Sequence, residues 1–163
     1  MNIIDNFLSE SELNLVGYTM VGDEAKFPWY YNCTKVFGDD PRGQFTHSFY
    51  IEKPKSDYYK MIEDIFLPKI KFNKVLRVKA NMTFKTHEPI NYGMHIDFSQ
   101  PKFNQKTAIW YLETTNGPTS FMSYENIECV GNRYVEFDSN EYHSAISHTD
   151  KDYRVVINFN YII

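Results

Sequence analysis

From about residue 74 onward, apolar and polar positions alternate along the chain. In residues 75–84, Leu76, Val78, Ala80, Met82 and Phe84 share one phase, while Arg77, Lys79, Asn81 and Thr83 share the other. Alternate residues of an extended chain face opposite sides, so this segment predicts a strand with one apolar and one polar face. Further strands are predicted at 93–98, 106–113, 119–122, 127–130, 133–137, 142–147 and 153–162. Many short strands separated by turn residues point to an antiparallel sandwich or barrel, and eight strands are what a jelly roll needs.

The first part of the chain reads differently. Ser9 and Glu12 form a capping-box pair, opening a short helix expected to end near Gly17. Ser56 is expected to cap a second helix over 57–66, stopped before Pro68, with Tyr58, Met61, Ile62, Ile65 and Phe66 on its apolar side. Residues 27–31 are a bulky aromatic run, 38–43 read as a loop, and 45–51 as a strand. The expected fold class is mainly β with flanking N-terminal helices. Residues 1–73 would buttress a jelly-roll core of 74–163, together one domain spanning 1–163.

Composition narrows the classes. The 163 residues are 42% hydrophobic and 23% charged, as in ordinary soluble proteins. A net charge of −4 disfavours a nucleic-acid binder driven by phosphate contacts. Cys33 and Cys129 suit reduced thiols rather than a disulfide scaffold or zinc ribbon. The first residues lack the pattern of a signal peptide, and no apolar run reaches the length of a membrane span. A cytoplasmic protein is expected. The abundance of Ile, Asn, Lys, Tyr and Phe fits an AT-rich microbial or phage genome, so the compartment would be the host cytoplasm if a phage encodes it.

The candidate chemistry lies in four residues. His95 and Asp97 stand at i and i+2, on the same side of an extended chain. His143 lies 46 residues beyond Asp97, after the polar turn 138–142, and Arg154 lies 11 residues after His143. Two histidines and one carboxylate are the facial set that holds non-haem Fe(II) and leaves coordination positions open. Arg154 shares a phase with Val156, Asn158 and Asn160 and is expected to point into the barrel, where a buried guanidinium calls for an anion. His87 and His148 are reserve ligands.

The order His-x-Asp, His, Arg resembles the Fe(II)/2-oxoglutarate-dependent dioxygenases. The segment Lys-Thr-Ala-Ile-Trp-Tyr-Leu-Glu at 106–113 is similar to the strand lining the co-substrate pocket in prolyl-hydroxylase-like members. Asn116-Gly117-Pro118-Thr119 is similar to the family's Gly-Gly-x-Thr turn, with Pro118 in place of the second Gly. The resemblance covers about residues 75–162. It implies a double-stranded β-helix with Fe(II) on His95, Asp97 and His143. The distal carboxylate of 2-oxoglutarate would pair with Arg154, helped by Tyr111, with Thr107, Ile109, Asn81, Thr83 and Val156 around it. O2 would be the oxidant and ascorbate an accessory reductant.

The implied activity is hydroxylation of a C–H bond of a peptidyl or free amino acid such as proline, with release of succinate and CO2. The substrate would thus be a protein, peptide or small molecule, with residues 27–31 and 85–92 at its entrance. Two alternatives stay open. One is a nucleic-acid base oxygenase of the same chemistry, which the net charge disfavours. The other is a jelly-roll binding module without a metal. A cupin-type metalloenzyme would use more histidines together with a glutamate. The oligomeric state is unknown from sequence.

Overall fold

The computed structural model describes residues 1–33 and 43–163, so the loop expected at 38–43 lies, except for Gly43, outside the described residues. Helix α1 (Glu10–Val21) opens with the expected capping box. The Ser9 N–H donates to Glu12 Oε2 at 2.8 Å, and the Glu12 N–H donates to Ser9 Oγ at 3.3 Å. Gly17 does not end the helix. Val16 and Met20 continue one buried stripe past it, and the chain turns out only at Gly22. An interior glycine costs only about 1 kcal/mol relative to alanine, less than burial of Met20 returns.

The second helical segment is short and irregular. One α-turn, α2 (Tyr59–Met61), widens into a π-turn over Ile62–Phe66 and tightens into a 3-10 turn over Leu67–Lys69. Ser56 does not cap it with its side chain. Its hydroxyl instead bonds His47 Nε2 at 2.8 Å, while His47 Nδ1 donates to the Pro28 carbonyl at 2.8 Å. The wide turn places Ile62, Ile65 and Phe66 together in the core.

The strands are β1 (Asn2–Ile4), β2 (Tyr30–Asn32), β3 (Gln44–Ile51), β4 (Lys53–Pro54), β5 (Lys74–Phe84), β6 (Gln105–Tyr111), β7 (Thr115–Phe121), β8 (Ile127–Cys129), β9 (Tyr134–Asp138), β10 (His143–Ala145) and β11 (Tyr153–Ile162). The larger sheet runs β1-β9-β6-β11-β5-β3-β2, with β4 paired to β3, and the smaller runs β10-β7-β8. These pairings are antiparallel. Period two holds through the centre of the larger sheet. Val78, Ala80, Trp110, Val155, Ile157 and Phe159 pack against Val16, Met20, Ile62 and Phe66 of the helical layer. The opposite face carries Ile109, Tyr111, Val135 and Phe137, which meet Phe121 and Cys129 of the smaller sheet. The result is mainly β: a double-stranded β-helix of two facing, unclosed sheets with helices outside the larger one. No helix among the described residues is long and apolar enough to cross a membrane.

Two local expectations fail. Residues 93–98 are not a regular strand; within them the bridge to the smaller sheet is that of His95 with His143, and just before them Asn91 bridges Ile146. Gly93 takes a φ of +100°, and its N–H donates to Asn91 Oδ1 at 2.9 Å, so a ladder cannot run through it. Residues 116–118 are not a turn but an irregular stretch of β7, whose register against β8 shifts between Thr115 and Thr119. Gly117 is required there, because a Cβ would lie 2.7 Å from the Ile146 carbonyl oxygen and 2.8 Å from the His148 nitrogen.

Asn132 ties the N-terminal segment to the core. This buried residue adopts a φ of +60°, which asparagine tolerates better than most. Its Oδ1 accepts from the Leu8 N–H at 2.9 Å and from Trp110 Nε1 at 3.2 Å, and its Nδ2 donates to the Leu8 carbonyl at 2.8 Å. Asn132→Ala would leave three buried groups unpaired and is expected to cost about 3 kcal/mol. Urea denaturation checks this as a lower midpoint at unchanged slope.

Candidate active site

His95 lies on the irregular segment and His143 opens β10, and their backbones make a reciprocal pair. The His95 N–H donates to the His143 carbonyl and the His143 N–H to the His95 carbonyl, each at 3.0 Å. The pairing sets the two imidazoles side by side, with ring centres 4.7 Å apart. Asp97 completes the group: one ligand atom from each of His95, Asp97 and His143 lies within 4.8 Å of the others. Each ring is oriented by a carbonyl oxygen 3.2 Å from its Nδ1, that of Gly93 for His95 and that of Glu141 for His143. A carbonyl only accepts, so Nδ1 carries the proton and Nε2 keeps its lone pair for a metal.

Asp97 is held through both oxygens. Arg77 Nη2 lies 3.0 Å from Oδ1, and Asn160 Nδ2 donates to Oδ2 at 2.8 Å. Arg77 Nε donates to Asn160 Oδ1 at 2.9 Å, and Asn160 Nδ2 also reaches Thr107 Oγ1 at 3.0 Å. Burial works to raise the Asp97 pKa, but Arg77, His143, Asn160 and His95 together hold it below the ordinary carboxylate value. Burial pushes the His143 imidazole below its ordinary value, against the attraction of Asp97. Both shifts favour the forms a metal needs, carboxylate and neutral imidazole.

Beside the triad opens a cavity of about 470 Å³, within the usual range for small-molecule sites. Arg154, Asn81, Thr83, Ile109 and Val156 line it. Arg154 is 4% exposed. Its Nη1 donates to the Ile146 carbonyl at 3.2 Å and its Nη2 to Thr119 Oγ1 at 3.3 Å, while its Nε has no hydrogen-bond partner. Among the described residues no carboxylate forms an ion pair with Arg154. Glu113 acts on it only at longer range; burial pushes this carboxyl up to about 7, and its Oε1 accepts from the Val155 N–H. Tyr111 lies fully buried under the guanidinium, 5.5 Å from ring centre to Cζ, and its hydroxyl bonds Thr119 Oγ1 at 2.7 Å. Burial pushes this phenol up to about 12, so it stays protonated.

The expected site residues therefore do not all stand in one place. Thr107 is absent from the cavity wall; it bonds Asn160 and Ser139 instead and belongs to the support of Asp97. Tyr111 stands behind the wall and reaches Arg154 through Thr119. His87 is exposed, and His148 is buried outside the triad. Arg77, Lys79, Asn158 and Asn160 were absent from the expected site. Arg77, Lys79 and Asn158 line the cavity, and Asn160 braces Asp97. Only their shared phase with Asn81 and Arg154 pointed there.

The architecture matches solved structures closely although the sequences do not. An oxidoreductase of the 2OG-Fe(II) oxygenase family from Burkholderia pseudomallei superposes with a TM-score of 0.72 at 11% identity, over 98% of this chain and 84% of that one. A prolyl-4-hydroxylase from Pseudomonas putida gives 0.65 at 13% identity, over 99% and 92%. A Trichoplax adhaerens prolyl hydroxylase, solved with a peptide fragment of hypoxia inducible factor, gives 0.67 at 14% identity, over 99% and 82%. The fold is that of the 2-oxoglutarate-Fe(II) oxygenases. No protein-family model and no curated sequence matches the chain. Within this oxygenase fold the three-residue cluster and Arg154 are properties of this chain's own geometry.

Substituting His95, Asp97 or His143 by Ala is expected to abolish stoichiometric Co(II) binding at pH 7.5, followed by its visible absorption. For the intact protein, affinity should fall progressively on acidification, as protons compete for the imidazole nitrogens. The apo fold should lose stability in the same direction. His143 and Asp97 each bind a proton less readily folded than unfolded, so their contributions are complete at neutral pH and fade on acidification.

Proposed function

We propose that this protein is an Fe(II)- and 2-oxoglutarate-dependent oxygenase that hydroxylates a C–H bond of a peptidyl or free amino acid. The observation that carries the reading is Arg154: a buried guanidinium with a free Nε and no ion pair among the described residues, in the same cavity as the His95, Asp97 and His143 cluster. A buried cation without a counter-charge is costly, and a carboxylate delivered by a ligand relieves that cost. The donor set of two neutral imidazoles and one carboxylate suits Fe(II).

In this reading His95, Asp97 and His143 hold the iron, and Arg154 receives the distal carboxylate of 2-oxoglutarate. Thr119 and Tyr111 fix the guanidinium from behind, while Ile109 and Val156 supply apolar wall beside the co-substrate's methylenes. When bound, iron, 2-oxoglutarate and O2 supply the chemistry: oxidative decarboxylation to succinate and CO2, with one oxygen atom delivered to the substrate C–H bond. The chain's own contribution is orientation. Arg77 and Asn160 keep Asp97 ionised and fixed, and the two carbonyls keep the imidazoles in one tautomer. The prolyl hydroxylases among the structural neighbours support an amino-acid substrate, free or within a peptide.

Succinate formation against 2-oxoglutarate concentration tests the proposal. Arg154→Ala is expected to raise the 2-oxoglutarate KM by about 100-fold or more, the range for losing one partner of a buried charge pair. Its Co(II) affinity should stay within about twofold. Arg154→Lys should be intermediate, since an ammonium keeps the charge but not the planar fork. His143→Ala should lose metal binding and turnover together. Equal KM values for the wild type and Arg154→Ala would refute the assignment.

A further inference from the structure

Among the described residues, three cationic side chains, Arg77, Lys79 and Arg154, line the cavity with a single carboxylate, Asp97. The described lining is therefore two positive charges in surplus before any ligand enters. A divalent metal and the 2-oxoglutarate dianion cancel each other, so under the proposed function the surplus persists in the loaded site. In direct contacts Arg77 faces Asp97 at 3.0 Å, and Arg154 would face the distal carboxylate of the co-substrate, whose charge then no longer offsets the metal. Lys79 is left. Among the described residues its ammonium makes no hydrogen bond and no ion pair.

Its position is defined by register. Lys79 stands opposite Asn158 on β11 and opposite Ser48 on β3. Directly opposed residues of an antiparallel pair have Cβ atoms about 4.5–5.5 Å apart. The Lys79 ammonium and the Asn158 amide thus share one patch of cavity wall, and Asn158 Oδ1 is buried without a partner. Along β11, Asn158 falls between Arg154 and Asn160, the residue that braces Asp97. The wall also crosses β5 to Gln44 and Asn32 of β3 and β2, so the cavity extends past the strand that carries Lys79.

Resting on the proposed function, we infer that Lys79 and Asn158 form a second anion subsite, which takes a carboxylate of the substrate. The substrate is then a small carboxylic acid, such as an amino acid with its carboxylate free, rather than a residue inside a neutral peptide. An ammonium half-removed from water gains most from a ligand that brings its own charge. An amide beside it can donate to the same carboxylate or accept from a neighbouring N–H or O–H of the ligand.

The test uses the full chain loaded with Zn(II) and saturating 2-oxoglutarate, with acetate as the carboxylate probe. Thermal unfolding is followed against sodium acetate, with sodium chloride at equal ionic strength as reference, for wild type, Lys79→Met and Lys79→Arg. Wild type and Lys79→Arg should show a saturable acetate-dependent rise in Tm that Lys79→Met lacks. Calorimetric titration of the Zn(II) forms should give 2-oxoglutarate affinities for wild type and Lys79→Met within about twofold of each other. An equal acetate response in all three proteins overturns the subsite. A tenfold loss of 2-oxoglutarate affinity in Lys79→Met also overturns it, because Lys79 would then serve the co-substrate. Failure of the wild type to bind 2-oxoglutarate at all overturns the proposed function, and the substrate assignment with it.

Discussion

The reciprocal backbone hydrogen bonds between His95 and His143 are the contact on which the site depends. They join an irregular segment to the first residue of β10, far apart in sequence. Each bond is made by main chain, so it demands no particular side chain and leaves both imidazoles free for other work. The pair is short because the chain cannot continue as a ladder through Gly93. An extended strand there would place the histidine but would also fix its neighbours in the pleat. The irregular path lets Asp97 leave the sheet and meet both Asn160 of β11 and Arg77 of β5.

That second meeting explains much of the polar interior. A buried carboxylate without donors is expensive, and one partner does not satisfy two oxygens. Here Arg77 and Asn160 each take one oxygen and bond each other, so the group is locked before any metal arrives. Thr107 and Ser139 extend the chain of hydrogen bonds to β6 and to the end of β9. Arg154, at the other end of β11, is treated in the opposite way. Its partners are a carbonyl and a hydroxyl, neither carrying charge, and the guanidinium keeps its full positive field for the cavity.

Local pattern made part of this legible. Alternation located β5 and β11 and assigned their cavity-facing phase, and Ser9 with Glu12 marked the start of α1. The order of His95, Asp97, His143 and Arg154 anticipated the cluster and the arginine beside it. What stayed hidden depends on cross-strand register. Nothing near Arg77 in sequence announces that Asn160, its partner in the β5–β11 ladder, will steer it to Asp97. Thr107 has the right phase for the cavity but sits beside Asn160 on the neighbouring strand, so its hydroxyl is claimed there. Ser56 looked like a cap because its competing partner, His47, comes from a different element. The helix passed through Gly17 because burial of the next turn outweighs a local preference.

The placement of β11 has a consequence for how the molecule is made. It lies between β5 and β6, pairing with both, and supplies the middle of the larger sheet. Its residues, 153–162, leave the ribosome well after those of β5 and β6. Until they do, the growing polypeptide holds β5 and β6 as two separate edges, each with open hydrogen-bonding groups and an apolar face. Such edges are templates for pairing with other chains. Assembly is thus dominated by distant contacts and waits on a single late strand, a topology that folds slowly and exposes its nascent form to aggregation. The same strand carries Arg154, so this positive charge of the cavity wall arrives only with the segment that closes the sheet.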